Sequence, residues 1–176
     1  MAEKKSGKLT GWIAYTYANT DRHFENINNG KSYPFKYDRR HTVNVVANYH
    51  LNEKINLSAN WIYGSGYPFT MPIGKYPYLI DQENNYFTYR GFYRTAYIYP
   101  ELNSYRMRAF HHLDIAINFT KEVKRGIRTW SINIYNVYNR QNPYYYYMDT
   151  DEKGVWHLYQ QSLFPIIPSI SYSLKF

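Results

Sequence analysis

The chain has 176 residues, no cysteine, and a formal charge of +8 with a pI near 9.4. That length suits one domain, and the missing cysteine excludes disulfides and thiolate-held metals. Mean hydropathy is −0.66, and no apolar run approaches the ~18 residues of a membrane helix.

The start, Met1 to Lys8, has no apolar stretch and no small-residue cleavage site, so it does not read as a signal peptide. The first regular segment, Leu9 to Tyr17, sets Leu9, Gly11, Ile13, Tyr15 and Tyr17 against Thr10, Trp12, Ala14 and Thr16. A period of two predicts a strand with two unlike faces. His41 to Leu51 repeats it, with Val43, Val45, Ala47, Tyr49 and Leu51 against Thr42, Asn44, Val46, Asn48 and His50. Ile55 to Tyr63 sets Ile55, Leu57, Ala59, Trp61 and Tyr63 against Asn56, Ser58, Asn60 and Ile62. His111 to Phe119 sets Leu113, Ile115, Ile117 and Phe119 against His112, Asp114, Ala116 and Asn118. Ile127 to Tyr138 sets Trp130, Ile132 and Ile134 against Thr129, Ser131 and Asn133, and its parity blurs beyond Tyr135, where a bulge is expected. The last segment, Ile166 to Phe176, alternates to its final residue, with Ile170, Tyr172, Leu174 and Phe176 on one side and Ser169, Ser171, Ser173 and Lys175 on the other.

The composition of the faces bears on the solvent. One face of these segments is Asn, Ser, Thr and His with few charges, and the other is aliphatic and ends in Trp and Tyr. That pattern fits a watery lumen and a lipid-facing band with aromatic girdles. Each segment is near the ~9–11 residues of a tilted membrane strand. Connections alternate as well. Asn52 to Lys54 and Lys121 to Gly126 are short and charged, while Ala18 to Arg40, Gly64 to Arg108 and Asn139 to Trp156 are long. Outer-membrane barrels have short periplasmic turns and long external loops, which puts both chain ends on the periplasmic side. The expected fold is all-β, an antiparallel transmembrane barrel sheet of about six strands. A hairpin within Tyr78 to Tyr99, turning around Asp81 to Asn85, would make eight.

Several stretches, in their serial order, resemble the C-terminal part of TonB-dependent outer-membrane receptors of the Bacteroidetes type. They are Asn28 to Lys31, Lys36 to His41, Trp61 to Gly66, Tyr105 to Met107, His111 to Asp114, Asn133 to Asn139, and Ser162 to Ser169 leading into the terminal strand. The resemblance runs from about Leu9 to Phe176. It implies the closing strands of a barrel of about 22 strands, with the plug and the TonB-contacting segment outside this chain. It also implies a role in energised nutrient uptake in the outer membrane of a Gram-negative bacterium. Because a barrel protein must first cross the inner membrane, the start predicts a mature, engineered or incomplete chain. The partners so implied are membrane lipid and lipopolysaccharide, the remaining strands and plug, and the barrel-assembly machinery. That machinery would read Phe176, Leu174, Tyr172 and Ile170, the alternation that ends in phenylalanine.

Two readings stay open for Asp38, Arg39, Arg40 and His41 at the head of a strand. They form a loop-anchoring ion-pair cluster, or they contact an anionic ligand or lipopolysaccharide phosphate. Tyr144, Tyr145, Tyr146 and Tyr147, with Tyr86 to Tyr99, form a stacking surface for a sugar or peptide, or they pack loops and line an interfacial girdle. His112 and Asp114 share a face while His111 opposes them, too few ligands for zinc, so neither metal nor cofactor is expected. No nucleophile elbow, phosphate-cradling glycine loop or paired carboxylates point to an enzyme. Basic charge with aromatics invites a single-stranded nucleic-acid reading, but the bases sit in turns and loops, not along one face. The remaining alternatives are a complete eight-stranded membrane barrel with a structural or adhesive role, and a soluble β-barrel for a small apolar ligand.

Overall fold

The computed structural model describes residues 1–80 and 92–176. Seven strands form one antiparallel sheet: β1 (Ala2–Lys4), β2 (Leu9–Tyr17), β3 (His41–Asn52), β4 (Ile55–Gly64), β5 (Phe110–Val123), β6 (Gly126–Tyr135) and β7 (Ile167–Lys175). They lie side by side in chain order, so each strand pairs with the next by a hairpin or a long loop. The register joins the alternating faces into continuous rows. One row runs Ile13, Val45, Trp61, Leu113. Another runs Leu57, Ile117, Ile132, Ile170. On the opposite face Thr10, Asn48, Ser58, Ala116, Asn133 and Ser169 form a polar row across six strands. A one-residue slip would exchange the faces of a whole strand, which is why alternation fixes register so firmly.

Aromatic and imidazole rings mark both ends of the apolar face. Tyr15, His41, Trp61, Tyr63 and His111 cluster at the long-loop end, with Tyr15 and His41 hydrogen-bonded at 2.9 Å. Phe119, Trp130 and Tyr172 lie toward the short turns, where Trp130 and Tyr172 meet at 4.9 Å between centroids. From His111 to Phe119 the strand covers about 27 Å at ~3.4 Å per residue.

Among the described residues no aliphatic or aromatic side chain other than Pro68 is buried. Ile13, Trp130 and Ile170 are instead 53%, 45% and 70% exposed. The buried polar residues are Asp38, His112, Asn136 and Asn142. A hollow of about 1220 Å³ lies on the polar face toward the short turns, lined by His50, Asn56, Asn118, Thr120 and Thr129 among others. The sheet thus curls around its polar side and turns its apolar side outward.

Several expectations need adjusting. The sequence reading missed β1, which pairs its three residues with Gly11–Ile13 through a turn over Lys5 to Lys8. β5 extends four residues beyond Phe119, because Lys124 and Arg125 alone make the turn to β6. No bulge follows Tyr135. The strand ends there, because Asn136 takes a left-handed φ of 52° and starts a turn. A hairpin does form from Gly74–Ile80 and Phe92–Ile98, but its strands pair only with each other and leave the main sheet at seven strands. Its expected turn, Asp81 to Asn85, lies outside the described residues. The sheet is open: β1 and β7 are its edges.

Candidate functional site

The long loops meet above the sheet, and polar side chains hold them. Asp38 is buried and ion-paired with Arg106, with Arg40 farther off at 3.9 Å. The Thr20 backbone N–H also donates to Asp38 at 2.9 Å. Arg106 donates onward to the Asp38 and Gly66 carbonyls at 3.3 and 3.2 Å, which ties the loop before β3 to the loop after β4. Burial pushes the Asp38 carboxyl up, but Arg106, the Thr20 N–H and Arg40 together outweigh it and hold it below the ordinary carboxylate value. A second link joins Lys31 to Glu101 at 2.7 Å, beside Asn103, which donates to the Pro34 carbonyl at 2.8 Å.

The last loop is fastened by asparagines. Asn136, fully buried, accepts from the Arg140 N–H at 3.0 Å and donates to the Arg140 and Phe164 carbonyls. Its own N–H donates to Asp114, which also contacts His112 at 2.8 Å. Asn142 copies a strand partner for His111, accepting from its N–H and donating to its carbonyl, both at 2.9 Å. His111 turns to the other face and meets the Tyr138 hydroxyl at 2.7 Å. No group of three or more metal-ligating side chains occurs among the described residues.

Between these fastened loops lies a cleft of about 730 Å³. Lys36, Arg39 and Arg108 supply positive charge, and Tyr37, Tyr67, Phe69, Phe110, Tyr144 and Tyr145 supply rings. Among the described residues no carboxylate lines it. Arg39 stands over the Tyr67 ring at 4.2 Å and near that of Phe110 at 5.5 Å, and its Nε is buried without a hydrogen-bond partner. Two glycines make the cleft. A Cβ at Gly64 would lie 2.5 Å from the Arg39 guanidinium, and one at Gly66 would lie 1.7 Å from the Met107 carbonyl oxygen. Only glycine at 66 lets the 105–108 backbone approach this closely, whereas a side chain at 64 would displace the Arg39 side chain.

The structure divides the expected cluster at 38–41. Asp38 and Arg40 belong to the loop anchor, and Arg39 faces the cleft. His41 stays at the strand head, its N–H donating to Ser65 Oγ. The four tyrosines also separate. Tyr144 and Tyr145 line the cleft. Tyr146 packs on Phe69 and bonds Gln160 at 3.0 Å. Tyr147 stacks on Tyr159 across an unforeseen hairpin of Pro143–Thr150 and Trp156–Ser162. Of Tyr86 to Tyr99, residues 86–91 lie outside the described residues, while Tyr97 stacks on Trp156 at 5.7 Å and so packs loop on loop. Sequence reasoning missed Lys36, Tyr67, Phe69, Arg108 and Phe110 as cleft residues, although Lys36 and Gly66 sit in stretches it had singled out. Ile170, Tyr172, Leu174 and Phe176 lie along the edge strand and its end, with Phe176 97% exposed.

No protein-family model, no curated protein and no solved structure matches this chain.

Proposed function

We propose that this chain supplies the closing strands of a TonB-dependent outer-membrane receptor barrel, with its loop cleft serving ligand capture in energised nutrient uptake. The observation that carries this reading is the outward apolar face. Ile13, Ile115, Ile132 and Ile170 stand exposed and the Val, Leu and Ala of the central strands half-exposed, bounded by aromatic rings, while the polar face lines a hollow. In water such a sheet would forgo about 25 cal/mol for each Å² of apolar surface left uncovered, and a soluble barrel would turn the same residues inward. In a bilayer that face meets lipid and the Asn, Ser and Thr face meets water or a plug.

The open edges favour a larger barrel over a closed small one. β7 is paired on one side only, by β6, and β1 covers only three residues of β2. Unpaired backbone groups in hydrocarbon cost several kcal/mol each, so further strands must meet both edges. The serial resemblance of the motifs points to receptor strands as those partners. In this reading the outer-membrane assembly machinery engages Ile170, Tyr172, Leu174 and Phe176.

Folding of the purified chain tests the proposal. Expected is an antiparallel sheet in detergent or lipid with aggregation in plain buffer. A folded, monodisperse chain without detergent would overturn it. Deleting Phe176 is expected to slow outer-membrane insertion of the receptor that contains this segment, and unchanged insertion kinetics would remove the assembly role.

A further inference from the structure

We propose that the cleft between the loops takes an acidic saccharide, with Arg39, Lys36 and Arg108 meeting its anionic group and the tyrosines stacking on its rings. This rests on the receptor reading and narrows it to a ligand class. Three cations converge on one hollow whose lining holds no acid, and no ion pair engages any of the three among the described residues. Asp38 and Glu101 lie in the same loops but are occupied by Arg106, Arg40 and Lys31. Among the described residues the anchors therefore consume the nearby carboxylates and leave the cleft positive. The buried, unpartnered Arg39 Nε is a donor without an acceptor, and a planar guanidinium matches a carboxylate or phosphate with two parallel hydrogen bonds.

The rings choose among anions. Tyr144 is 62% exposed, and Tyr145 meets it edge-on at 5.6 Å. Tyr37 and Tyr67 meet edge-on at 6.2 Å, with Arg39 over the Tyr67 ring. Such faces take the C–H side of a pyranose, whose partial positive charge suits the π cloud, while the Tyr hydroxyls offer hydrogen bonds to sugar hydroxyls. The volume of about 730 Å³ lies within the ordinary range of ligand sites. An inorganic anion would leave the rings unused, and a neutral sugar would leave Arg39 unanswered.

The test uses the whole chain folded in neutral detergent, with trigalacturonate, its fully methyl-esterified form and purified lipopolysaccharide as probes. Calorimetry is expected to show the acid binding at least about tenfold tighter than the ester. That advantage should shrink as salt rises from about 0.05 to 0.5 M. Lys36→Gln with Arg108→Gln, both at exposed positions, is expected to abolish the preference while the strand signature in circular dichroism stays. Tyr144→Ala is expected to weaken acid and ester alike. Equal binding of acid and ester, full affinity in the double variant, or no binding to a chain with an intact sheet would overturn the proposal. Competition by lipopolysaccharide assigns the sugar to the lipid surface, and no competition assigns it to a free oligosaccharide; either result upholds an acidic-saccharide site. A chain that folds only in detergent yet binds nothing removes the ligand class and leaves the receptor reading. Detergent-free folding with acid-selective binding does the reverse.

Discussion

The sheet and the loop layer above it use opposite rules for burial. In the sheet, half the positions are apolar and none of the aliphatic or aromatic ones is buried. In the loops, the buried side chains include Asp38 and Asn142, with Asn136 at the junction, each satisfied by hydrogen bonds. Globular proteins normally reverse this, with apolar interiors and solvated polar groups. The contrast shows two stabilising devices in one chain. The sheet depends on what its outer face touches, whereas the loops are held by local polar links that need no core. Each device fails under a different substitution.

The largest expected effect comes from placing charge on the two faces of one strand. Ile115→Arg lies in the middle of the apolar face and Asn118→Arg on the polar face, three residues along β5. In lipid vesicles, denaturant unfolding should show Ile115→Arg costing about 2–4 kcal/mol. Asn118→Arg should cost well under half of that. Comparable losses at both sites, or a larger one at Asn118, would break the comparison between the faces.

Next comes the loop anchor. Asp38→Ala strands Arg106 and leaves the Thr20 N–H without its acceptor. Arg106 is 28% exposed, so solvent relieves part of the penalty, and about 1–3 kcal/mol is expected. Hydrogen exchange should accelerate between residues 20 and 40 and around 105–108, while β3 to β6 keep their protection. Acceleration spread evenly through the sheet would mean that the loops and sheet form one cooperative unit after all.

These two cases also show what was legible in the sequence. Faces and register could be read because a strand puts alternate residues on opposite sides, so Val43, Val45 and Ala47 declare themselves locally. Strand ends were less legible: Asn136 stops β6 by adopting φ 52°, and that depends on its hydrogen bonds to Arg140 and Phe164. The cleft was least legible. Arg39, Tyr67, Arg108 and Tyr144 come from separate stretches, and their meeting depends on the Asp38–Arg106 link and on close approach at Gly64 and Gly66. Alternation says nothing about such non-local contacts. The adjacent Arg39 and Arg40 looked alike in sequence, yet one faces the cleft and the other the anchor.

At Asn136 the side chain and the backbone can be separated. Asn136→Gly keeps the left-handed conformation and loses the side-chain bonds, whereas Asn136→Ala loses both. The expected costs are about 1–2 kcal/mol for glycine and about 1 kcal/mol more for alanine. Exchange at residues 137–142 and 164–166 reports it. Equal costs for the two variants would mean that the φ of 52° is not the strained element.

The smallest effect is expected from acid, and it isolates the charge of Asp38 from its shape. The folded carboxyl titrates below the ordinary 3.8 because Arg106, the Thr20 N–H and Arg40 outweigh its burial. A depressed carboxylate stabilises the folded state fully above the unfolded value and loses that contribution as pH falls through 3.8 toward the folded value. Between about pH 5 and 3, exchange in the loops at 20–40 and 105–108, corrected for intrinsic rates, should rise relative to the sheet. The rise should stay below that of Asp38→Ala, since a protonated carboxyl still accepts hydrogen bonds from Arg106 and Thr20. Asp38→Asn removes the titration and keeps the shape, so its loop exchange should no longer respond to acid in this window. If that variant responds as the unaltered chain does, another group sets the pH dependence, and the candidate is Asp151. Its carboxyl is also held low, by His157 and by the Val155 and Lys153 N–H groups, but it sits in a hairpin remote in sequence from both anchored loops. Acid sensitivity at 151–157 alone, with 20–40 unchanged, would therefore place the charged link in the wrong loop.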